Sequence, residues 1–116
     1  METKSLNIGT NRGKRRVWVE GKALERLGWV KGVTYTRKAQ LLESGFTLTR
    51  DCSGELKVAG GEGRPVLDLC GNYVAAALEG FDKVTVTITA KRITITGKAA
   101  ALLLPVFVQA LERVAI

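Results

Sequence analysis

The sequence predicts one small, mostly β domain with short helices, built from two β-α-β-β units and followed by a C-terminal helix. Three observations predict this fold. Short segments alternate apolar with polar side chains, as half-buried strands do. Residues 17–36 and 66–87 repeat one pattern of strand, glycine, short helical segment and strand. The length of 116 residues suits a single domain that buries enough apolar surface to fold alone.

A basic segment precedes the first unit. Residues 1–16 predict an N-terminal arm, since four of the six residues in "NRGKRR" (11–16) are basic and one is glycine. The net charge of the chain is +7, and residues 1–58 hold 12 Lys/Arg against 6 Asp/Glu. Such a cluster either contacts phosphates or forms a solvated, mobile segment. The excess over the whole first half favours a nucleic-acid partner.

The first unit is predicted over residues 17–50 and the second over 65–97. Each contains a first strand, a glycine, a helical segment, a glycine–aromatic pair and two further strands. The helical segments are Lys22–Leu27 and Asn72–Leu78, and each is followed by its pair, Gly28-Trp29 or Gly80-Phe81. The final strands are "FTLT" (46–49) and "ITIT" (93–96). One unit is too small to bury both its helix and its sheet face, so the two units are expected to pair.

Two further segments complete the chain. Residues 51–64, "DCSGELKVAGGEGR", hold four glycines and predict a flexible linker, with "ELKVA" as a candidate edge strand. Residues 98–116 contain an apolar run over 99–108 that is too short for a membrane span of about 20 residues. From Pro105 onward the apolar residues recur at helical spacing. They predict an amphipathic helix that covers an open end of the fold or pairs with a second chain, as in a homodimer.

The stretch "VLDLCGN" (66–72) begins like the first motif of many methyltransferases, with an acid near a strand end and a following glycine. No further glycine follows Gly71 at the required spacing, and the chain is too short for several βαβ units. The internal repeat assigns the stretch to the first strand and turn of the second unit instead. It is therefore not expected to bind a cofactor.

The composition excludes several catalytic chemistries. The chain has no histidine, which removes the commonest general base and a common metal ligand. Cys52 and Cys70 are 18 positions apart and form no zinc motif. The first residues have no apolar core of a signal peptide. The expectation is a cytoplasmic, non-enzymatic protein with reduced cysteines, no cofactor and no metal.

The repeated pattern of strand, short helix, glycine–aromatic pair and hairpin resembles the swapped-hairpin barrel of the AbrB, MazE and SymE group. That resemblance implies that the two β-α-β-β repeats pair into one small swapped-hairpin barrel. The segments "IGTNRGKRRVWVEGKALERLGW" (8–29) and "RPVLDLCGNYVAAALEGFDKVTVTITAKRITIT" (64–96) also resemble the N-terminal segment of some phage and mobile-element cytosine-5 DNA methyltransferases. The methyltransferase body has no counterpart in this sequence, so the resemblance implies no catalytic role.

The resemblance implies DNA binding, with duplex favoured, by a regulator of a phage or mobile element. The residues implied lie before the first strand, on the first helix and after equivalent strands of the two units: Arg12, Lys14, Arg15, Arg16, Lys22, Arg26, Arg37, Lys38, Lys91 and Arg92. The last four either form a pseudo-symmetric pair of phosphate contacts or, for Lys91 and Arg92, are only hairpin-tip charges. Trp18, Trp29 and Tyr35 align with Leu67, Phe81 and Val86, and are expected in the core rather than stacked on bases.

Two other functions fit the same sequence. A small basic phage-encoded domain can inhibit a host defence protein, such as a guided nuclease (anti-CRISPR type) or a restriction enzyme. A toxin–antitoxin component of the SymE or MazE kind is the other alternative, although such antitoxins usually carry an acidic tail. DNA against RNA, and monomer against dimer, stay open.

Overall fold

The structure is a computed structural model in which residues 1–40 and 43–98 are described. It is mostly β, as the sequence predicts. The elements are, in chain order, β1 (Glu2–Asn7), β2 (Gly9–Asn11), β3 (Lys14–Glu20), α1 (Lys22–Arg26), β4 (Thr34–Ala39), β5 (Gly45–Arg50), β6 (Leu56–Lys57), β7 (Ala59–Gly61), β8 (Arg64–Cys70), α2 (Asn72–Ala77), β9 (Lys83–Ile88) and β10 (Arg92–Lys98).

The strands form two antiparallel sheets. The larger has six strands in the order β1-β9-β10-β5-β4-β6, and the smaller has four in the order β2-β3-β8-β7. In each sheet the two central strands come from different halves of the chain, β10 with β5 and β3 with β8. The central hydrogen bonds of both sheets therefore join the first half of the chain to the second.

The register of these central pairs is symmetric about one position in each sheet. Trp18 lies opposite Asp68 in the smaller sheet, and Thr47 lies opposite Thr94 in the larger one. In the smaller sheet, the two-residue hairpin turns before β3 and β8 lie at the same distance in sequence from Trp18 and Asp68, with Gly13 in one turn and Gly63 in the other.

The inward faces of both sheets and one side of each helix form a single core. Alternate strand residues supply most of it: Val17 and Val19 of β3, for example, are fully buried. Leu24 of α1 and Val74 of α2 join the same cluster. Each sheet also has an outward face, which is turned away from this core.

Glycine determines where each short helix begins and ends. Gly21 and Gly71 precede α1 and α2 with φ angles of 119° and 143°, which side chains rarely adopt. Gly28, at φ 83°, ends the first helix, and the N–H of the following Trp29 donates to the Leu24 carbonyl at 2.8 Å. The pair Gly28-Trp29 is thus a helix stop that turns an aromatic residue into the core.

Two segments differ from the sequence expectation. Residues 1–16, predicted as an arm, form β1, β2 and the start of β3, and β1 pairs along the whole length of β9. The strand escaped prediction because Leu6 is its only large apolar residue. The predicted linker 51–64 contains β7 as well as β6, which lies within "ELKVA" at the edge of the larger sheet as the candidate edge strand predicted. The predicted C-terminal helix lies outside the described residues.

Gly45 allows the closest backbone approach in the larger sheet. It has φ 137°, is buried at the start of β5, and a Cβ on it would lie 1.9 Å from the carbonyl oxygen of Ile95. β5 and β10 can therefore pair here only if this position carries no side chain.

We expect Gly45→Ala to destabilise the protein by at least about 3 kcal/mol, because it combines a disfavoured φ with a backbone collision. Gly61→Ala is the matched control, since Gly61 is also a strand glycine but has open space around its Cβ position. That change should stay within about 0.5 kcal/mol. Urea unfolding of both variants measures the difference, and equal stabilities would contradict the close pairing of β5 with β10.

Candidate nucleic-acid interface

The ten cations predicted to contact nucleic acid separate into two groups in the structure. Four arginines use their guanidinium groups within the protein: Arg15, Arg16, Arg26 and Arg37. Six side chains are exposed and make no side-chain hydrogen bond or ion pair within the described residues: Arg12, Lys14, Lys22, Lys38, Lys91 and Arg92. Only the second group is available to a ligand without breaking an internal contact.

The β2–β3 hairpin turn carries two of these free cations. Arg12 and Gly13 form the turn with φ angles of 53° and 80°, as in a two-residue type I′ hairpin. Lys14 follows as the first residue of β3, opposite Asn11. A tight turn at the end of a paired hairpin holds both cations at the molecular surface. We call Arg12 and Lys14 the basic tip.

Arg15 points inward from the same hairpin. Its guanidinium donates a hydrogen bond to the carbonyl oxygen of Phe81, in the turn that connects α2 to β9. Arg15 therefore connects the smaller sheet to the turn that leads into the larger sheet, which is a structural role.

Arg16 forms a cluster with Asp68 and Trp18 on the outward face of the smaller sheet. Its Nε and Nη2 donate to the two carboxylate oxygens of Asp68 at 2.7 and 3.1 Å. The guanidinium carbon also lies 4.1 Å from the centroid of the Trp18 ring. The hydrogen bond to Asp68 raises the pKa of Arg16. The Asp68 carboxylate occupies the donors that a phosphate would need, so Arg16 is not a free phosphate ligand.

The expectation that Trp18 is a core residue is wrong. Its side chain is 39% exposed, whereas Leu67, with which it was aligned, is buried. The buried positions of β3 are Val17 and Val19, so Trp18 faces outward and lies opposite Asp68. The alignment was displaced by one residue, which in a strand moves a side chain to the other face.

The other two aromatic residues are in the core, as predicted. Trp29 is fully buried and its indole Nε1 donates to the carbonyl oxygen of Thr89 at 2.8 Å. Tyr35 is almost fully buried and contacts Trp29 edge-on. Neither is available for stacking on a base.

Arg26 and Arg37 also have partners within the fold. The guanidinium of Arg26, on α1, pairs with the carboxylate of Glu2 in β1. The guanidinium carbon of Arg37 lies 3.4 Å from the centroid of the Tyr73 ring on α2. Burial raises the pKa of Tyr73, and the charge of Arg37 partly offsets that rise.

The predicted pseudo-symmetric pairing of Arg37-Lys38 with Lys91-Arg92 is not present. Arg37 and Lys38 lie inside β4, with Arg37 on the core side, whereas Lys91 lies in the β9–β10 turn. Ser44 occupies the backbone position that corresponds to Lys91. The main-chain carbonyl of each residue accepts a hydrogen bond from the central strand contributed by the other half of the chain. The first hairpin turn therefore lies further along the chain than the sequence comparison assumed.

A cleft at the β9–β10 turn brings together cations that the sequence comparison separated. It is lined by Arg50, Lys91, Arg92 and three threonines. Arg50 donates from Nη1 to the carbonyl oxygen of Ala90 at 3.3 Å. Arg50 was missed because no repeat partner marked it in the sequence.

Sequence reasoning also missed Lys83 and Lys98, which face each other across β9 and β10. Both belong to the outward face of the larger sheet, together with Lys38 and Arg92. The sequence signal that could have placed them on this face was their alternation with apolar residues such as Val84 and Ile95, which are buried in the structure.

No protein-family model, curated protein or solved structure matches this chain. Among the helices in the described part of the chain, none has the length and apolarity needed to cross a bilayer. Cys52 is exposed and Cys70 is half-buried, and both are free thiols.

The contrast between Arg15 and Lys14 predicts a difference in stability. Arg15→Gln removes the hydrogen bond to the Phe81 carbonyl and should lower the free energy of unfolding by about 1–2 kcal/mol. Lys14→Gln, one residue away on the exposed face, should change it by less than about 0.5 kcal/mol. Urea unfolding at matched salt measures both. An Arg15→Gln protein as stable as Lys14→Gln would show that the Arg15 contact contributes nothing to folding.

Proposed function

We propose that this protein is a non-enzymatic DNA-binding protein of phage or mobile-element type that contacts duplex phosphates through the basic tip. The observation that carries the proposal is the β2–β3 turn, which presents Arg12 and Lys14 at the surface without an internal partner in the described residues. Lysine and arginine at such a position neutralise phosphates and release counterions, which supplies most non-specific affinity for DNA.

The tandem AbrB/SymE-like fold remains part of this proposal. It is supported by the register of the central strands, which places Trp18 opposite Asp68 and Thr47 opposite Thr94. Two units related by a pseudo-twofold axis would each contribute one central strand to each sheet. Regulation of genes of the mobile element is the role that this resemblance implies.

The two hairpin tips of the proposed units differ in charge. The basic tip is Arg12-Gly13-Lys14, and its counterpart before β8 is Glu62-Gly63-Arg64. A carboxylate at the second tip would repel a phosphate. Of the two tips, only the first is therefore assigned to DNA contact. Arg64 then serves as a matched control for Lys14, since both are exposed and begin equivalent strands.

The test is the salt dependence of duplex binding by the full chain. Log affinity against log salt should lose about one unit of slope for Lys14→Gln and about two for Arg12→Gln/Lys14→Gln. Arg64→Gln should change the slope by much less than one unit. Fluorescence anisotropy with duplex DNA, duplex RNA and single strands identifies the preferred nucleic acid. A wild-type protein that binds none of them, or a double variant with an unchanged slope, overturns the proposal.

One observation favours a second candidate, an inhibitor of a host defence protein. Trp18 is exposed at the centre of the smaller sheet, beside Arg16, and the half-buried Val66 lies on the same face. Tryptophan and arginine are the residues most enriched at energetic centres of protein interfaces. Sequence-independent phosphate binding does not require an exposed indole at this position.

Inhibition assays separate the two functions. If the protein inhibits a restriction endonuclease or a guided nuclease by direct contact, Trp18→Ser should reduce inhibition at least tenfold, as expected for loss of a tryptophan at an interface centre. Arg12→Gln/Lys14→Gln should then inhibit as the wild type does, at any DNA concentration. If inhibition instead follows DNA affinity and disappears with the basic tip, DNA binding is the function and Trp18 is not a protein contact.

A further inference from the structure

The outward face of the larger sheet is an array of hydroxyl groups. One row of directly opposed residues runs across five strands: Thr3, Thr87, Thr94, Thr47 and Lys38. A second row contains Ser5, Thr85 and Thr96, and a third contains Arg92, Thr49 and Thr36. We call these three rows, with the adjoining row Asn7, Lys83 and Lys98, the threonine face.

The threonine face carries positive charge only. Lys38, Arg92, Lys83 and Lys98 are its ionisable residues, and none of its four rows, all of which lie within the described residues, contains Asp or Glu. The β propensity of threonine explains hydroxyls on an exposed strand face. It does not explain why no acidic residue lies opposite a lysine on this face, although such opposite-charge pairs would stabilise the sheet.

Lys83 and Lys98 mark the point where this face is least stable by itself. They are directly opposed across β9 and β10, and like charges in such a pair destabilise a sheet. The Lys98 ammonium donates to the hydroxyl of Ser5 at 3.3 Å. An anion bound between the two ammonium groups would relieve the repulsion, and Asn7 in the same row adds an amide donor.

The chemistry of the face selects one kind of anionic partner. Its four rows contain no aromatic side chain on which an unpaired base could stack, so the usual means of holding single strands is missing. Hydroxyl and ammonium groups are instead the donors that position proteins on the phosphate backbone of a duplex. The five-strand row extends over roughly 19 Å at the normal strand spacing. A duplex carries on the order of ten phosphate charges along such a length.

We propose that the threonine face is a second surface of this protein for the phosphate backbone of duplex DNA, independent of base sequence. The inference rests on the proposed DNA-binding function but assigns a different part of the molecule to it. The basic tip belongs to the smaller sheet, whereas the threonine face belongs to the larger sheet and is turned away from the core. Lys83 and Lys98 hold a phosphate between them. The hydroxyls of Thr85, Thr87 and Thr94, which have no partner within the described residues, donate hydrogen bonds to its neighbours, whereas those of Thr96 and Thr36 already donate to Gln40 and Thr49.

The test compares two charge-matched double variants of the full chain. Lys83→Gln/Lys98→Gln should lower the slope of log affinity for duplex DNA against log salt by about two units. Lys31→Gln/Arg64→Gln removes the same charge from exposed positions outside both surfaces and should change the slope by less than one unit. An uncharged pair, Thr87→Val/Thr94→Val, should weaken binding at least threefold with little change in slope.

Stability and binding should change in opposite directions. Because Lys83→Gln/Lys98→Gln relieves a like-charge pair, it should melt at or above the temperature of the wild type, so a loss of affinity cannot come from unfolding. A double variant that binds duplex DNA like the Lys31→Gln/Arg64→Gln control overturns the inference. Equally tight binding of the wild type to single-stranded DNA or to an anionic polysaccharide also overturns it, because the face would then recognise charge alone.

The two DNA surfaces can fail separately. If Arg12→Gln/Lys14→Gln lowers the slope and Lys83→Gln/Lys98→Gln does not, the proposed function holds and the threonine face is excluded. If only Lys83→Gln/Lys98→Gln lowers it, the threonine face is supported and the basic tip is not the contact site. A wild type that binds no duplex overturns both.

Discussion

The fold depends on hydrogen bonding between strands from opposite halves of the chain. β3 with β8 and β5 with β10 are the central pairs of the two sheets, and each pair joins residues about 50 positions apart. Without these pairs, neither half would have a continuous sheet to cover the apolar side of its five- or six-residue helix. The core and the outward face of each sheet therefore both depend on pairing between the two halves of the chain.

Local patterns predicted the elements well. The alternation in "VWV" and "ITIT" identified β3 and β10, and the glycine–aromatic pairs marked both helix ends, because these signals come from side chains within one element. β1 was missed because its pairing with β9 uses backbone hydrogen bonds and one large apolar residue. The predicted face of Trp18 was wrong, since an alignment of repeats made without knowledge of the strand register can be displaced by one residue.

The candidate sites were harder to predict, because a count of basic residues does not distinguish their environments. Within one six-residue run, Arg12 and Lys14 lie at a turn without a side-chain partner among the described residues, while Arg15 and Arg16 bind a carbonyl oxygen and a carboxylate. Which of them is free depends on partners more than 50 residues away. Lys83 and Lys98 were missed for the converse reason, since they form no cluster in the sequence and only the pairing of β9 with β10 places them directly opposite each other.

The opposition of Trp18 and Asp68 has an evolutionary consequence. In a symmetric dimer of identical units, the residue on the twofold axis would face its own copy, tryptophan against tryptophan or carboxylate against carboxylate. If the two halves of this chain are the tandem units proposed above, joining them in one polypeptide removes that requirement, so each position can diverge from its counterpart. An indole opposite a carboxylate, and a carboxylate at one hairpin tip where the other tip carries only cations, are what such divergence would produce. In that case, fusion would have converted a self-complementary ancestor into a molecule whose two hairpin tips and two central strands differ.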